Sequence, residues 1–308
     1  MLSLSDIVNV KVGIGRGVFE APGATVIGGK KPSFNLEILK LFANGEQGFY
    51  QDPYDMGTMF QDAAGNYPVT AVGQPLGLVL DKSKGLAKSA NLANVALQSP
   101  LSSKAILGDG NWWSVERDFN AFPGVQQSGF KKNTTYKVKI SWKESTASAI
   151  RIEFSTLPGA TFQTLYTASG TWVGYITSGD YTSLRVYFRD VVSAGYCGSI
   201  NIEIVEEVYG NHAYQTTSSM RPLLAASPQR LDYDTIDDKL ITNLPAQLTG
   251  CTVIRAIPSV GVQLLTGQTI PATYEDNKDH CGLIVINRAL TPSETSAIAA
   301  EFNKRAGV

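Results

Sequence analysis

Signatures of acid–base or nucleophilic catalysis are scarce in this sequence. It contains two histidines, His212 beside a turn and His280 just before a predicted strand. It has no GxSxG nucleophile elbow, no phosphate-binding P-loop and no HExxH zinc motif. Catalysis through histidine is therefore disfavoured, and we expect backbone groups to satisfy the hydrogen bonds of both rings.

Paired carboxylates are the remaining candidates for catalysis. Asp52 with Asp55, and Asp237 with Asp238, lie close enough in sequence to be weighed as the acid and base of a glycoside hydrolase. These aspartates lie among turn-forming residues, where the side chain usually accepts hydrogen bonds from its own turn. We therefore predict no catalytic residue and a protein that is not an enzyme.

A short acidic stretch offers oxygen atoms for a cation. Calcium prefers carboxylate and carbonyl oxygens, and the candidate ligands are Asp232, Asp234, Asp237 and Asp238. Their spacing does not match an EF-hand loop. The sequence thus predicts no bound metal and no cofactor, with these four residues as the calcium alternative.

Three tryptophans are candidates for binding a sugar. A sugar ring has one apolar face and a rim of hydroxyls, so its recognition requires an exposed aromatic ring with polar groups around it. Trp112, Trp113 and Trp172 lie near predicted turns and are suited to this role. The alternative is that they belong to a hydrophobic core, which we expect for Trp142 in its alternating strand.

The overall composition narrows the class of protein. The chain has 308 residues, 17% of them charged, and a formal net charge of −1. It therefore offers no basic field for nucleic acid, which is not an expected partner. The 29 glycines indicate many tight turns.

Cysteine use and hydropathy indicate where the chain is found. Cys197, Cys251 and Cys281 include no CxxC pair, so we expect reduced and mostly buried thiols. We find no secretory signal and no apolar run approaching the ~20 residues that cross a bilayer. A soluble protein made in a cytoplasm, without membrane insertion, is predicted.

The middle of the chain has the period of antiparallel strands. The segment "YKVKISWKES" places Tyr136, Val138, Ile140 and Trp142 on one face, and "AIRIEFST", "LRVYFRDV" and "SINIEIVEEV" repeat the alternation. Glycine, serine and threonine turns separate these runs. The pattern predicts an antiparallel sandwich with one polar face on each sheet.

Helices are predicted at only two places. One covers roughly 33–42 and stops at Asn44-Gly45. The other follows the strand "LIVI", which we expect to be buried on both faces; it has Thr291 as N-cap, Pro292 at the first helical position and Glu294 completing a capping box. Gly307 marks the end of this second helix.

Two distant segments carry a family resemblance. "LFANGEQGFYQDPYDMGTMFQDAAGNYPVTAVGQPLGLVLDKSKG" at 41–85 and "GNHAYQ" at 210–215 resemble adjoining parts of a concanavalin A-like (laminin-G-like) sandwich in structural proteins of tailed bacteriophages and prophages. "DHCGLIVINRALTPSE" at 279–294 is similar to the end of that sandwich. This chain departs from the family pattern at Gln51, in an aromatic position, and at Thr235, in a glycine position.

The stretch between those segments resembles a carbohydrate-binding-module-like sandwich. The resemblance implies an all-β fold of two antiparallel jelly-roll or concanavalin A-like sandwiches, one inserted in the other, with a short C-terminal helix. The implied domains are an N-terminal attachment arm at 1–40, the outer sandwich at 41–85 plus 210–308, and the inserted sandwich at 86–209. Residues near 85 and 210 are then expected to be neighbours in space.

The resemblance also implies a function. The expected protein is a virion component that attaches by its N-terminus, as a tail fibre or receptor-binding protein. The alternatives are a head or tail decoration protein without a ligand and, third, a hydrolase of cell-surface polysaccharide. Its expected partners are other virion proteins, copies of itself about a symmetry axis, and a host surface glycan.

Overall fold

A computed structural model describes residues 33–101, 104–117, 122–154, 162–165, 168–189, 191 and 194–308. These residues are mostly β, in several antiparallel sheets, with the two α-helices α1 (Phe34–Leu41) and α2 (Pro292–Ala306). Most of the predicted N-terminal arm lies outside the described residues. We call 86–209 the middle region, and 34–85 with 210–308 the outer region.

Strand lengths run from 3 to 13 residues in the middle region and from 2 to 10 residues in the outer region. In chain order they are β1 (Gly48–Gln51), β2 (Met59–Phe60), β3 (Leu78–Val79), β4 (Gln98–Pro100), β5 (Ala105–Leu107), β6 (Trp113–Arg117), β7 (Gly124–Ser128), β8 (Thr135–Lys143), β9 (Ala149–Phe154), β10 (Phe162–Leu165), β11 (Gly170–Thr177), β12 (Ser183–Arg189), β13 (Gly195–Glu207), β14 (Ala213–Tyr214), β15 (Leu223–Ala225), β16 (Arg230–Asp232), β17 (Leu240–Asn243), β18 (Leu248–Ile257), β19 (Gly261–Ile270), β20 (Thr273–Asp276) and β21 (Leu283–Ile286).

The middle region forms two five-stranded antiparallel sheets. Their orders are β10-β9-β12-β7-β4 and β11-β8-β13-β6-β5, and within the described residues their strands pair only with one another. One hydrophobic core takes residues from both sheets, including Val138 and Ile140 from one and Ile152 and Val186 from the other. The alternation predicted from the sequence is confirmed, because the apolar face of β8 lies in this core.

The outer region contains a four-stranded sheet, β1-β21-β18-β19, in which β1 and β21 are buried on both faces and β19 is largely exposed. On one face, Ile284 and Ile286 pack in a cluster with residues of α1 and α2. On the other, Leu283 and Val285 pack with Phe49 and neighbouring apolar residues. Burial on both faces explains the unbroken apolar run "LIVI", as predicted.

A second outer sheet joins segments from either side of the middle region. Its order is β2-β3-β14-β17-β20, in which Ala213 pairs with Val79 and Tyr214 with Leu78. The short pair β15-β16 packs nearby through Leu224 and Leu231, in the same apolar cluster as Val79 and Ala213.

The two helices begin and end as their sequences predict. The Thr291 hydroxyl accepts the Glu294 N–H, the Glu294 carboxylate accepts the Thr291 N–H, and Gly307 ends α2 in the left-handed region at φ 84°. Phe302 and Ile298 bury one side of α2 against the four-stranded sheet. Ile38 of α1 joins the same cluster, so the packed core begins at α1 rather than at residue 41.

The middle region leaves the outer region and returns to it at one place. The Tyr209 N–H donates to the Ala87 carbonyl at 2.9 Å, and the Ser89 N–H donates to the Glu207 carbonyl at 2.9 Å. Lys88 and Val208 form an isolated antiparallel bridge between these bonds. The two connections therefore run side by side, as expected for residues near 85 and 210.

Candidate functional site

Two of the three candidate sugar-binding tryptophans lie in the hydrophobic core of the middle region. Trp113 is 7% exposed and Trp172 is 8% exposed. The Trp113 indole N–H donates to Gln98 Oε1 at 2.8 Å, and the Trp172 ring lies against the backbone of Gly174, where a Cβ would not fit. A buried indole has no free face for a sugar ring, so the aromatic-platform hypothesis rests on Trp112.

Trp112 is partly exposed, and a cation occupies one side of its ring. Lys143 Nζ lies 4.6 Å from the ring centroid, which is cation–π distance. The adjoining turn is held by the Asn201 side chain, whose Nδ2 donates to the Gly110 carbonyl at 3.4 Å. A sugar stacking on this indole would have to use the opposite side or displace the lysine.

Three of the four candidate calcium ligands come together in one turn. Asp234, Asp237 and Asp238 have carboxylate oxygens within 4.8 Å of one another, whereas Asp232 pairs with Arg230 at 2.9 Å. Oδ1 of Asp234 accepts backbone N–H groups at 2.8 to 3.2 Å, including those of Asp237 and Asp238. These hydrogen bonds lower the pKa of Asp234, while burial raises the pKa of Asp238. The turn is closed by its own backbone, as aspartate-rich turns ordinarily are.

The carboxylate pair Asp52 and Asp55 is held by cations. Lys82 Nζ lies 2.7 Å from Asp52 and 2.8 Å from Asp55, and Arg305 Nη1 lies 2.6 Å from Asp52. Burial raises the pKa of Asp52, but Arg305 and Lys82 outweigh that effect and hold the pKa below its ordinary value. An ionised, paired aspartate is a poor general acid, and its contacts join β1 to α2.

Asp81 is a fully buried hydrogen-bond acceptor where the two regions meet. Its carboxylate accepts backbone N–H groups from Tyr50, Ser83 and Asn211 at 2.7 to 2.8 Å, together with the Ser83 hydroxyl at 2.8 Å. Burial raises the pKa of Asp81, and the hydrogen bonds oppose the rise. Gly210 is required here, because its φ is 142° and a Cβ would lie 2.9 Å from Asp81 Oδ2.

The histidine of the "GNHA" segment completes the same junction. His212 Nδ1 accepts the Asp81 backbone N–H at 2.9 Å, and its Nε2 lies 3.1 Å from the Val208 carbonyl. Burial lowers the pKa of His212, so this ring is neutral with its proton on Nε2. Backbone groups satisfy the ring, as predicted. We call Asp81, Ser83, Asn211 and His212 the junction hub.

His280 differs from the expectation, because neither ring nitrogen makes a hydrogen bond to a backbone group of the described residues, and the nearest polar group is a side chain. The ring is fully buried, and Nε2 lies 3.0 Å from Oδ2 of Asp276. Arg255 pairs with the same carboxylate at 2.6 Å, and the Tyr233 hydroxyl donates to it at 3.2 Å. Burial lowers the pKa of His280 against the opposing effect of Asp276, which keeps the ring neutral. An Asp–Arg ion pair that excludes water holds β18 to β20.

A buried charged cluster in the middle region was not predicted. Glu153 is fully buried, with Arg185 at 3.7 Å and Arg151 at 3.8 Å, and the Tyr187 hydroxyl donates to it at 3.3 Å. Alternation in "AIRIEF" assigns these residues to the face opposite the core, where exposure is the usual expectation. The sequence contains no signal for their burial.

One cavity of the described residues was also not predicted. It has a volume of about 830 Å³ and lies between the two regions, with Thr134, Thr177 and Asp180 on one side and Tyr214 and Asn243 on the other. Its size falls within the ordinary range for small-molecule sites. Residues far apart in sequence form its walls, so no local motif marks it.

No family model and no curated protein matches this chain. Neither helix within the described residues is long and apolar enough to cross a membrane.

Proposed function

We propose that this chain is a non-enzymatic structural protein of a tailed bacteriophage particle, acting as a tail-fibre or receptor-binding component. The observation that carries the proposal is the junction hub. Its residues belong to "LDKSKG" and "GNHA", two of the segments that resemble the phage family, and they meet at a single buried carboxylate.

In this proposal the sheets form two sandwiches, one inserted in the other. The inserted sandwich is the middle region, whose two sheets share one core. The outer sandwich is built from 41–85 and 210–308. The insertion of the middle region costs the outer sandwich little stability, because the two connections to the middle region run side by side.

The mechanism is display at a defined orientation. The paired connections and the junction hub allow little freedom between the sandwiches, and aromatic packing adds a further contact, with the rings of Phe60 and Tyr175 5.2 Å apart. A firmly held module presents its loops at fixed positions to a surface, which lowers the entropic cost of binding. The chain is located in the virion, with other virion proteins and copies of itself as partners.

A decoration protein without a ligand is the second candidate. The burial of Trp113 and Trp172 favours it, since these residues cannot form an exposed platform. The third candidate, a polysaccharide hydrolase, has the least support, because Lys82 and Arg305 neutralise Asp52 and Lys82 also pairs with Asp55.

Labelling on intact particles tests the proposal. Antibody against this chain, imaged on purified phage by electron microscopy, is expected to mark the tail or its tip. Labelling of the head alone would support decoration and reject the receptor-binding role. Absence of the chain from purified particles, checked by mass spectrometry, would reject both.

A further inference from the structure

The cavity between the two regions exists only when both are folded together. One wall comes from the β8 and β11 ends of the middle region, including Thr134, Thr177 and Asp180, and the other from β14 and β17 of the outer region, including Tyr214 and Asn243. The junction hub adjoins it through Asn211 and His212. The cavity therefore has a fixed shape set by the same contacts that orient the middle region.

Hydroxyl and amide side chains are the largest group in the walls, and internal hydrogen bonds position several of them. The Thr135 and Thr177 hydroxyls lie 3.0 Å apart, so the buried Thr135 sets the direction of Thr177. Asn243 Nδ2 donates to the Tyr214 hydroxyl at 2.7 Å. A tyrosine hydroxyl that accepts one hydrogen bond keeps its own proton for another acceptor.

The charges along the walls cancel. Lys132 and Asp180 have opposite signs, and Glu207 is paired with Lys131 at 2.8 Å. His212 is neutral. Such a surface gives no electrostatic advantage to a phosphate, a carboxylate or a cation.

Apolar surface completes the cavity beside these polar groups. Ile241 and Leu244 lie in the wall with the ring of Tyr214. A wall with positioned hydroxyl and amide groups and one apolar side complements a sugar, which has a rim of hydroxyls and an apolar face. A volume of about 830 Å³ accommodates more than one sugar ring.

We propose that this cavity, rather than Trp112, binds a neutral oligosaccharide segment of a cell-surface polysaccharide. The inference rests on the receptor-binding role proposed above and specifies the site and ligand class for it. Binding is by hydrogen bonds and stacking, without any covalent step. The middle region alone is not expected to bind, because half of the site lies in the outer region.

The probe is an array of bacterial surface oligosaccharides, neutral, uronic-acid-containing and phosphorylated, presented to the full chain. We expect neutral oligosaccharides to bind, and the strongest of them is then measured by calorimetry. Thr216→Trp fills the cavity from an exposed position in its wall and should weaken binding at least about tenfold. Thr217→Trp adds the same side chain one residue away, outside the cavity, and should change the affinity by less than about twofold.

Four results would overturn the inference. The first is that Thr216→Trp binds as tightly as the unmodified chain, and the second is that Trp112→Ala loses binding while Thr216→Trp still binds. The third is that only acidic or phosphorylated glycans bind, and the fourth is that no glycan on the array binds. Circular dichroism of each variant separates loss of a site from loss of the fold. Particle labelling is independent of all four, so tail labelling without glycan binding would reject this site and leave the virion role standing.

Discussion

The two regions of this molecule achieve a defined structure by different means. The middle region has long strands, such as β8 with 9 residues and β13 with 13, over one shared apolar core. The outer region has several strands of only two residues, β2, β3 and β14, beside the ten-residue β18 and β19, and it has several separate apolar clusters. Both regions contain buried carboxylates, but Glu153 of the middle region contacts residues of two paired strands, whereas Asp81 joins segments of the outer region that are distant in sequence. Where strands are too short to define their own register, buried polar groups can define it instead.

The largest effect is expected at Asp81. Asp81→Ala leaves three backbone N–H groups and the Ser83 hydroxyl buried without their acceptor, which should cost about 4 kcal/mol of unfolding free energy. Hydrogen exchange should show the loss in the outer region. All four tryptophans lie in the middle region, so the fluorescence midpoint should move far less.

The matched control for this variant is Asp109→Ala, at an exposed aspartate of the middle region. It should change the unfolding free energy by less than about 0.5 kcal/mol. A loss below about 1 kcal/mol in Asp81→Ala would contradict the role of buried polar groups in the outer region.

The converse test removes apolar volume from the middle region. Trp172→Ala should cost about 3 kcal/mol, since the indole fills the shared core, and fluorescence should report the change directly. Trp112→Ala, at the partly exposed neighbour of the core, should cost less than about 1 kcal/mol. Equal losses in the two variants would mean that Trp172 is not a core residue.

Arg305 tests the connection between α2 and β1. Arg305→Met removes hydrogen bonds to Asp52 at 2.6 Å and Glu301 at 2.9 Å but leaves Asp52 paired with Lys82, so a loss of about 2 kcal/mol is expected. Chemical denaturation followed by circular dichroism measures it. Lys304→Met, at the exposed neighbouring position, is the control and should be close to neutral.

The smallest expected effect depends on pH. Burial lowers the pKa of His280 below its ordinary value of 6.5, so the folded outer region resists protonation that the unfolded chain accepts. The contribution of the neutral His280 ring to stability is fully present above pH 6.5. It is lost as the pH falls towards the pKa of the folded state, by at most about 1.4 kcal/mol per pH unit. His280→Gln should reduce the loss of unfolding free energy between pH 7 and pH 5, which is measured by chemical denaturation at each pH. An identical loss in both proteins would assign the acid sensitivity to other groups.

Features of the fold that depend on local sequence were predictable, and features that depend on distant contacts were not. Period-two alternation indicated the strands of the middle region, and Thr291, Glu294 and Gly307 marked the ends of α2. The junction hub could not be found this way, because two of the hydrogen bonds to Asp81 come from the backbone N–H groups of Tyr50 and Asn211 in distant segments, and almost any residue type supplies such a group.

The candidate site was less predictable than the fold. The alternation of Trp172, Gly174 and Ile176 in β11 did contain a signal for burial, since all three fall on one face. The walls of the cavity come from strands that adjoin only in three dimensions, and its threonines and asparagines are unremarkable within their own segments. Composition therefore disfavoured nucleic acid as a partner, whereas the cavity could be located only from the three-dimensional fold.

The pairing of β1 with β21 has a consequence for synthesis on the ribosome. Gly48 pairs with Ile286, so β1 has no strand partner until residue 286 has emerged. The middle region has all its strand partners between residues 98 and 207 and can fold while β21 is still being made. Its folding brings residues 87 and 209 together, which shortens the effective loop between β3 and β14. Strand pairing in the outer region is thus completed after the middle region has brought its two ends together.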